Sequence, residues 1–367
     1  MKVIVAIDSL KGCLSSSQAN EAGVEGVREM VPDAEVLSIP VSDGGEGWLE
    51  VFLHALGGEM VDIHVKDPMM RTIKAQYLVK EDTAVIEIAR ASGLPLLTNE
   101  ERNPMRATSY GTGQLVVDAL RRGCRHIIVG LGGSATSDCG KGMLKAVIDA
   151  FAPGGSWDDV RELDGVRWTI ATDVVNPLCG ENGAAHVFAP QKGATPEMVL
   201  ALDEQAKRFA ALSAKHFGYD CQDMPGAGAA GGLGYAFLQY MRADCRSGIE
   251  LLLEALDFHH LLENTSLVIT GEGSADRQTL MGKLPHGILC SALPCHVPVA
   301  LIAGRVNDRQ QLLDAGFAHV ECINPPGFPI EEAMKPDIAR RHIRQTVMHI
   351  MSLESTGMTN HQDINRL

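Results

Sequence analysis

Aromatic residues are scarce: Phe, Trp and Tyr together make up 5% of the 367 residues. So few rings leave little for a base-stacking nucleic-acid surface or an aromatic-cored β-sandwich. Positive charge is short as well. Against 46 Asp and Glu stand 32 Lys and Arg, a net charge of −14. That balance is the wrong sign for sequence-independent nucleic-acid binding and for an anionic membrane surface. Long apolar runs are missing: nothing approaches the ~18 residues of a membrane span. The opening MKVIVAIDSLKG reaches Asp8 after five apolar residues, less than the apolar core of a secretion signal, so it reads as a first strand. Nine Cys are present, an odd number with no CxxC pair. This pattern suits reduced thiols in a cytoplasmic protein, not a zinc site or a disulfide framework. The chain has no GxxxxGK[ST], no HExxH and no GxSxG, which excludes a P-loop, a zincin helix and a hydrolase elbow.

Glycine, by contrast, is plentiful, with 38 residues in a chain that is 45% hydrophobic and 21% charged. The surplus lies in polar loops that follow apolar runs. Val3–Ile7 and Glu35–Ile39 read as strands, with a helix from the Ser15–Ser17 caps to Met30 between them and another over Trp48–Leu56. Met60–Val65, Thr72–Val79 and Ala84–Ile88 then form three strands without intervening helices, an antiparallel meander. Helices are expected over Gly113–Arg122, from the glycine-rich 131–142 stretch through Ala150, and over Pro196–Lys215, with strands at His126–Gly130 and Trp168–Ala171. The opening rhythm resumes at Leu267–Thr270, Val299–Ala303 and His319–Ile323, and a helix over Pro336–Met351 precedes a polar, frayed tail. The expected fold is α/β with two domains. One is a Rossmann-like parallel sheet built from residues 1–66 and 267–367; the other, 67–266, is inserted and carries a mixed sheet.

Four polar clusters each follow a strand at its carboxyl end, where open α/β sheets bind ligands: Asp8–Gly12, Ser42–Gly47, Gly132–Asp138 and Gly271–Asp276. In Gly132-Gly133-Ser134-Ala135-Thr136, backbone N–H groups and two hydroxyls can curl around a phosphate before a helix N-terminus. The alternative is a tight strand–helix turn capped by Ser134 or Thr136. Gly226–Gly231 matches GxGxxG letter for letter, but no strand precedes it, so it reads as a glycine-lined loop into a helix over Ala230–Met241 rather than a dinucleotide site. Lys11, Lys192 and Lys283 each sit beside Gly in a loop, as phosphate-neutralising cations or as solvated surface lysines. Asp43, Glu46, Asp173, Glu272 and Asp276 are a sufficient stock of carboxylates for magnesium or a general base, since Mg2+ takes one or two plus phosphate oxygens. Asp8, at a strand terminus, reads equally as a cap. His259-His260 reads as helix surface, and the IELLLEAL stretch at 249–256 as helix core.

In chain order, Asp8-Ser9-Leu10-Lys11-Gly12, Ser42-Asp43-Gly44-Gly45-Glu46-Gly47, Gly132–Asp138, Asp173–Leu178, Pro190-Gln191-Lys192-Gly193-Ala194, Gly226–Gly232 and Ile269–Lys283 resemble the motifs of the bacterial type I glycerate kinases, over about residues 1–325. The resemblance implies ATP-dependent phosphorylation of D-glycerate with Mg2+, by a two-domain enzyme that is a monomer or homodimer. The product it implies is 2-phosphoglycerate. Alternatives on the same fold are a 3-phosphate-forming kinase, a kinase for another small hydroxyacid, or a non-catalytic sugar-acid sensor. It also implies roles. Asp43, Asp173 and Lys11 would be catalytic, with Asp173 near the metal. Asp8, Ser9, Gly44, Gly45, Glu46, Gly271, Glu272, Asp276 and Lys283 would bind substrate. Gly132, Gly133, Ser134, Thr136, Asp138, Gln191 and Lys192 would hold phosphate or nucleotide. The chain departs from the family at Leu10 (usually Phe), Ser42 (usually Ala), Ser137 and Cys139 (usually Asn and Gly), and Ser274-Ala275 (usually Arg-Ile). At Ser274 this removes a bidentate donor that Ser cannot replace.

Overall fold

A computed structural model describes residues 1–42 and 47–355. The expected frayed tail lies largely outside the described residues. The chain forms two compact units, 1–43 with 249–367 and 44–248.

Strands β1 (Lys2–Ile7) and β2 (Glu35–Ser38) open the first unit. The second unit contains β3 (Glu59–Lys66), β4 (Thr72–Lys80), β5 (Thr83–Glu87), β6 (His126–Gly130), β7 (Arg167–Ala171) and β8 (Asp244–Arg246). The chain then returns to the first unit with β9 (Thr265–Ala275), β10 (Val299–Val306) and β11 (His319–Cys322).

The first unit's sheet has the order β11-β10-β9-β1-β2 and is parallel throughout. Both ends of the chain build it, as expected. Val3–Ile7 are all buried, because helices cover both faces of a parallel sheet and leave its strands continuously apolar. The helix Ser16–Met30 starts at a capping box, with Ser15 accepting from the Gln18 amide and the Gln18 side chain accepting from the Ser15 amide. It packs its small residues against the helix Pro336–Ser355. Two buried polar side chains in its first turns tie the strand ends. Asn20 accepts from the Ile7 amide and donates to the Ile39 carbonyl, both at 2.8 Å. The Ser16 hydroxyl donates to the Ile7 carbonyl and accepts from the Val41 amide. The loops at residues 8 and 42 are therefore anchored at their roots. In the same unit, the helix Gly248–Ala255 buries Ile249 and Leu251–Leu253, and His259 and His260 are exposed on a short helix.

The second unit's sheet has the order β3-β4-β5-β6-β7-β8. β3, β4 and β5 are antiparallel, and β5 through β8 are parallel. The meander and the mixed sheet match the expectation. β3 is paired with β4 along its whole length, from Glu59↔Val79 to Lys66↔Thr72, so the units divide at 43/44 rather than at the 66/67 read from the sequence. The second division likewise falls at 248/249, ahead of the apolar helix, rather than at 266/267. A single core of Ile86, Leu115, Ile127, Val129, Trp168 and Phe237, among others, fills this unit.

Candidate active site

In the first unit, the strand ends carry Asp8, Ser9, Lys11, Gly271, Glu272, Asp276 and Lys283. The Asp8 amide donates to the Gly271 carbonyl at 2.9 Å, which fixes the two loops side by side, and the Asp8 carboxylate accepts from the Ser9 amide. Glu272 is buried and fully engaged. One carboxylate oxygen accepts from the Thr279 hydroxyl and the other lies 3.2 Å from the Lys283 ammonium. Asp276 caps the turn Arg277–Leu280 by accepting from the Gln278 amide, and its own amide donates to Thr279. Lys11 is exposed. Asp43, Gly44, Gly45 and Glu46 lie outside the described residues. Thr279 had no assigned role in the sequence reading; its spacing three residues after Asp276 is the capping-box signal that identifies it.

In the second unit the parallel strands bring Leu131–Gly133, Thr172–Asp173 and Ser247 to one edge of the sheet, at the carboxyl ends of β6, β7 and β8. Asp173 is exposed and accepts from the Ser247 hydroxyl at 3.0 Å. The Gly132–Thr136 loop folds onto a second segment, Ala230–Gly232, whose three residues all have positive φ. Gly231 must be glycine there, because a Cβ would lie 1.9 Å from the Thr136 carbonyl oxygen. For the same reason the regular helix begins after Gly232, later than the Ala230 start expected from sequence. The Gly231 carbonyl accepts from the Cys139 amide, which locks the two segments together.

Within this nest, Gly133 is exposed at positive φ, whereas Ser134 and Thr136 are buried. Their hydroxyls lie 3.1 Å apart, and Ser134 Oγ also accepts from the Thr136 amide. Lys192 is 3% exposed and donates to the Thr136 carbonyl at 2.7 Å. Burial pulls its ammonium down to about 8, opposed by the charge of Asp138. Of the two sequence readings for Lys192, the solvated surface lysine is set aside; Gln191 beside it is exposed. Asp138 neither caps nor is capped by Ser134. Its Oδ2 accepts from the Ser109 amide, the Ser109 hydroxyl and the Gly142 amide, and its Oδ1 from the Gly140 amide. It thereby fastens the start of the helix Lys141–Phe151 to Ser109. The buried Ser137 hydroxyl has no hydrogen-bond partner among the described residues.

One carboxylate at a strand end escaped the sequence reading. Glu87 ends β5, is buried, and faces Arg90 Nε at 3.4 Å. Desolvation raises its pKa despite that neighbour. It sat inside an apolar strand pattern, so no composition signal marked it. Among the described residues, no group of three or more His, Cys, Asp or Glu is placed to hold a metal ion, and no helix is long and apolar enough to cross a membrane. The nine cysteines are free thiols.

One unit with a parallel sheet and charged strand ends, and another with a mixed sheet and a glycine-built nest, define an α/β protein of the enzyme class. Comparison with known proteins makes this specific. The glycerate kinase family model matches residues 3–152 and 157–355. A glycerate kinase of Bacillus subtilis (strain 168) is 40% identical, covering 91% of this chain and 93% of its own. A glycerate 2-kinase of Escherichia coli (strain K12) is also 40% identical, over 88% and 89%. A crystal structure from Salmonella typhimurium LT2, assigned as glycerate kinase 2, superposes with a TM-score of 0.81 at 37% identity, covering 98% of this chain and 99% of that one. The chain belongs to the glycerate kinase family.

Proposed function

We propose that the protein transfers the γ-phosphoryl group of ATP to D-glycerate, forming 2-phospho-D-glycerate and ADP in the cytoplasm. The observation that carries this reading is near-full-length similarity to glycerate kinases, a glycerate 2-kinase among them, at about 40% identity. Phosphoryl transfer asks the protein for positioning, charge neutralisation and a place for the hydroxyl proton. In this reading Asp43 takes the proton of the attacking hydroxyl. Lys11 neutralises charge on the transferred group. Lys283, held by Glu272, does the same for substrate. Asp8, Ser9, Gly271 and Asp276 shape the acceptor loop together with Gly44, Gly45 and Glu46. The Gly132–Gly133 amides take phosphate oxygens, on a loop kept rigid by Ser134, Thr136, Asp138 and Lys192, with Gln191 at its rim.

The donor set fits a magnesium ion that arrives on the nucleotide, because Asp173 is a single exposed carboxylate and Mg2+ requires no all-protein cage. Asp173 would hold it, and the ion would supply charge neutralisation between the phosphates. The protein works as a monomer or homodimer.

Coupled detection of ADP with D-glycerate, L-glycerate and tartronate tests the reading. Turnover is expected with D-glycerate; turnover with none of the three would overturn it. Asp43→Asn should abolish turnover while leaving the fold intact, and full turnover by that variant removes Asp43 as base.

A further inference from the structure

β9 and β10 stay paired beyond the apolar part of their sheet. The register runs from Glu272↔Ala303 to Arg305↔Ser274 and Val306↔Ala275. In a parallel pair, in-register residues share a face, as do residues two apart along one strand. Glu272, Ser274 and Arg305 therefore lie on one face at the carboxyl edge of the sheet. Lys283 and Thr279 are fastened to the same Glu272, whereas Ala275 is fully buried.

The two cations of this face differ in state. Lys283 is neutralised by Glu272. Arg305 is exposed, and its guanidinium has no hydrogen bond or ion pair among the described residues. Acids of the neighbouring loops have other partners: Glu272 holds Thr279 and Lys283, Asp276 accepts from the Gln278 amide, and Asp308 accepts from the Arg277 amide. Ser274, also exposed, is the residue in register with Arg305 and brings a hydroxyl to the same face. An unneutralised guanidinium on a strand offers a planar fork to an oxyanion, and a strand holds it more firmly than a loop would.

We infer that Arg305, with Ser274 in register beside it, binds an oxyanion of the reactants: the carboxylate of the acceptor hydroxyacid or a phosphate of the nucleotide. This rests on the kinase reading above, and it adds a specificity residue that none of the sequence motifs contains.

Steady-state kinetics and calorimetric titration of D-glycerate and of ATP, on the wild type and on R305A, R305K and the double variant S274R/R305S, test it. R305A should raise KM and the dissociation constant for one of the two ligands by about tenfold to a hundredfold, the range of a lost charge-assisted hydrogen bond. A rise confined to D-glycerate identifies the carboxylate; a rise confined to ATP identifies the phosphate. R305K should recover only part, because an ammonium lacks the fork. The double variant should recover most, because it keeps the guanidinium on the same face one strand away, a rescue that a merely structural role would not produce. Unchanged KM and dissociation constants for both ligands in R305A overturn the inference, as does a lowered melting temperature with unchanged binding. Calorimetry keeps the two claims separate. A wild type that binds ligand but does not turn over D-glycerate defeats the kinase reading, while weakened binding by R305A still upholds the role of Arg305.

Discussion

The two clusters of strand-end residues are built on opposite principles. In the second unit, Ser134, Thr136, Lys192 and Asp138 satisfy one another and the backbone, and three of the four are buried. In the first unit the charges are only half covered. Lys283 reaches inward to Glu272, whereas Lys11 and Arg305 are exposed. Buried polar networks act by holding one geometry, and losing a member is expensive because its partners remain desolvated. Exposed charges at strand ends add little to stability, and of these two exposed cations Arg305 has no hydrogen bond or ion pair among the described residues. In the proposed function the nest is therefore a fixed shape that offers backbone to a ligand, and the first cluster is where side chains would do the recognising.

The difference is sharpest at Gly231. Gly231→Ala should cost about 3–5 kcal/mol, the sum of a left-handed non-glycine residue and an overpacked contact. Urea unfolding measures it, and a loss under ~1 kcal/mol would mean that the nest is softer than argued. Asp138→Asn comes next. Turning an NH2 toward the donors now facing Oδ2 should cost about 2–4 kcal/mol. Wild-type stability with lost turnover would instead make Asp138 a ligand-contacting group.

Lys192 carries a pH signature. Its folded pKa of about 8 lies below the ordinary 10.5, so the unfolded chain holds the proton more tightly. The destabilisation is complete below about pH 8 and is relieved as pH rises from there toward 10.5. The stability of Lys192→Met relative to wild type should accordingly fall between pH 7 and pH 10. A pH-independent difference would contradict a buried ammonium. In the first unit, Lys283→Met should change stability by less than about 1 kcal/mol, because the lysine is 40% exposed. The same variant should lower kcat/KM about tenfold or more. The reverse pattern would erase the distinction between the clusters.

The smallest effect is chemical. Cys290 and Cys322 in the first unit are exposed, whereas burial pushes Cys139 in the second up to about 12. Alkylation of the native protein at pH 8 should label the first two and spare Cys139.

Much of this was legible in the sequence, and the rest failed for identifiable reasons. Continuous apolar runs such as Val3–Ile7 announce a strand covered on both faces. The turn-separated runs at 60–88 announce the meander. The end of β9 was not legible. Leu267–Thr270 reads as the strand, yet pairing continues through Gly271–Ala275 because β10 also continues, to Val306. Glycine and charge hide a strand whose extension depends on its neighbour, and that is why Arg305 stayed out of view. β8, three residues long, carries too little pattern to be seen alone. At the nest, the glycines pointed to a special backbone, but not to the buried state of Thr136 and Lys192. Thr136 is covered by the approach of Gly231, nearly a hundred residues away in sequence, and Lys192 is drawn in by its bond to the Thr136 carbonyl.

The central claim is the reaction itself. Phosphorus NMR of the protein incubated with ATP, Mg2+ and D-glycerate tests it most directly, because it reads the bond formed and the oxygen that carries it. The account predicts ADP together with the resonance of 2-phosphoglycerate. A resonance of 3-phosphoglycerate alone, or ATP left unconsumed, would contradict it.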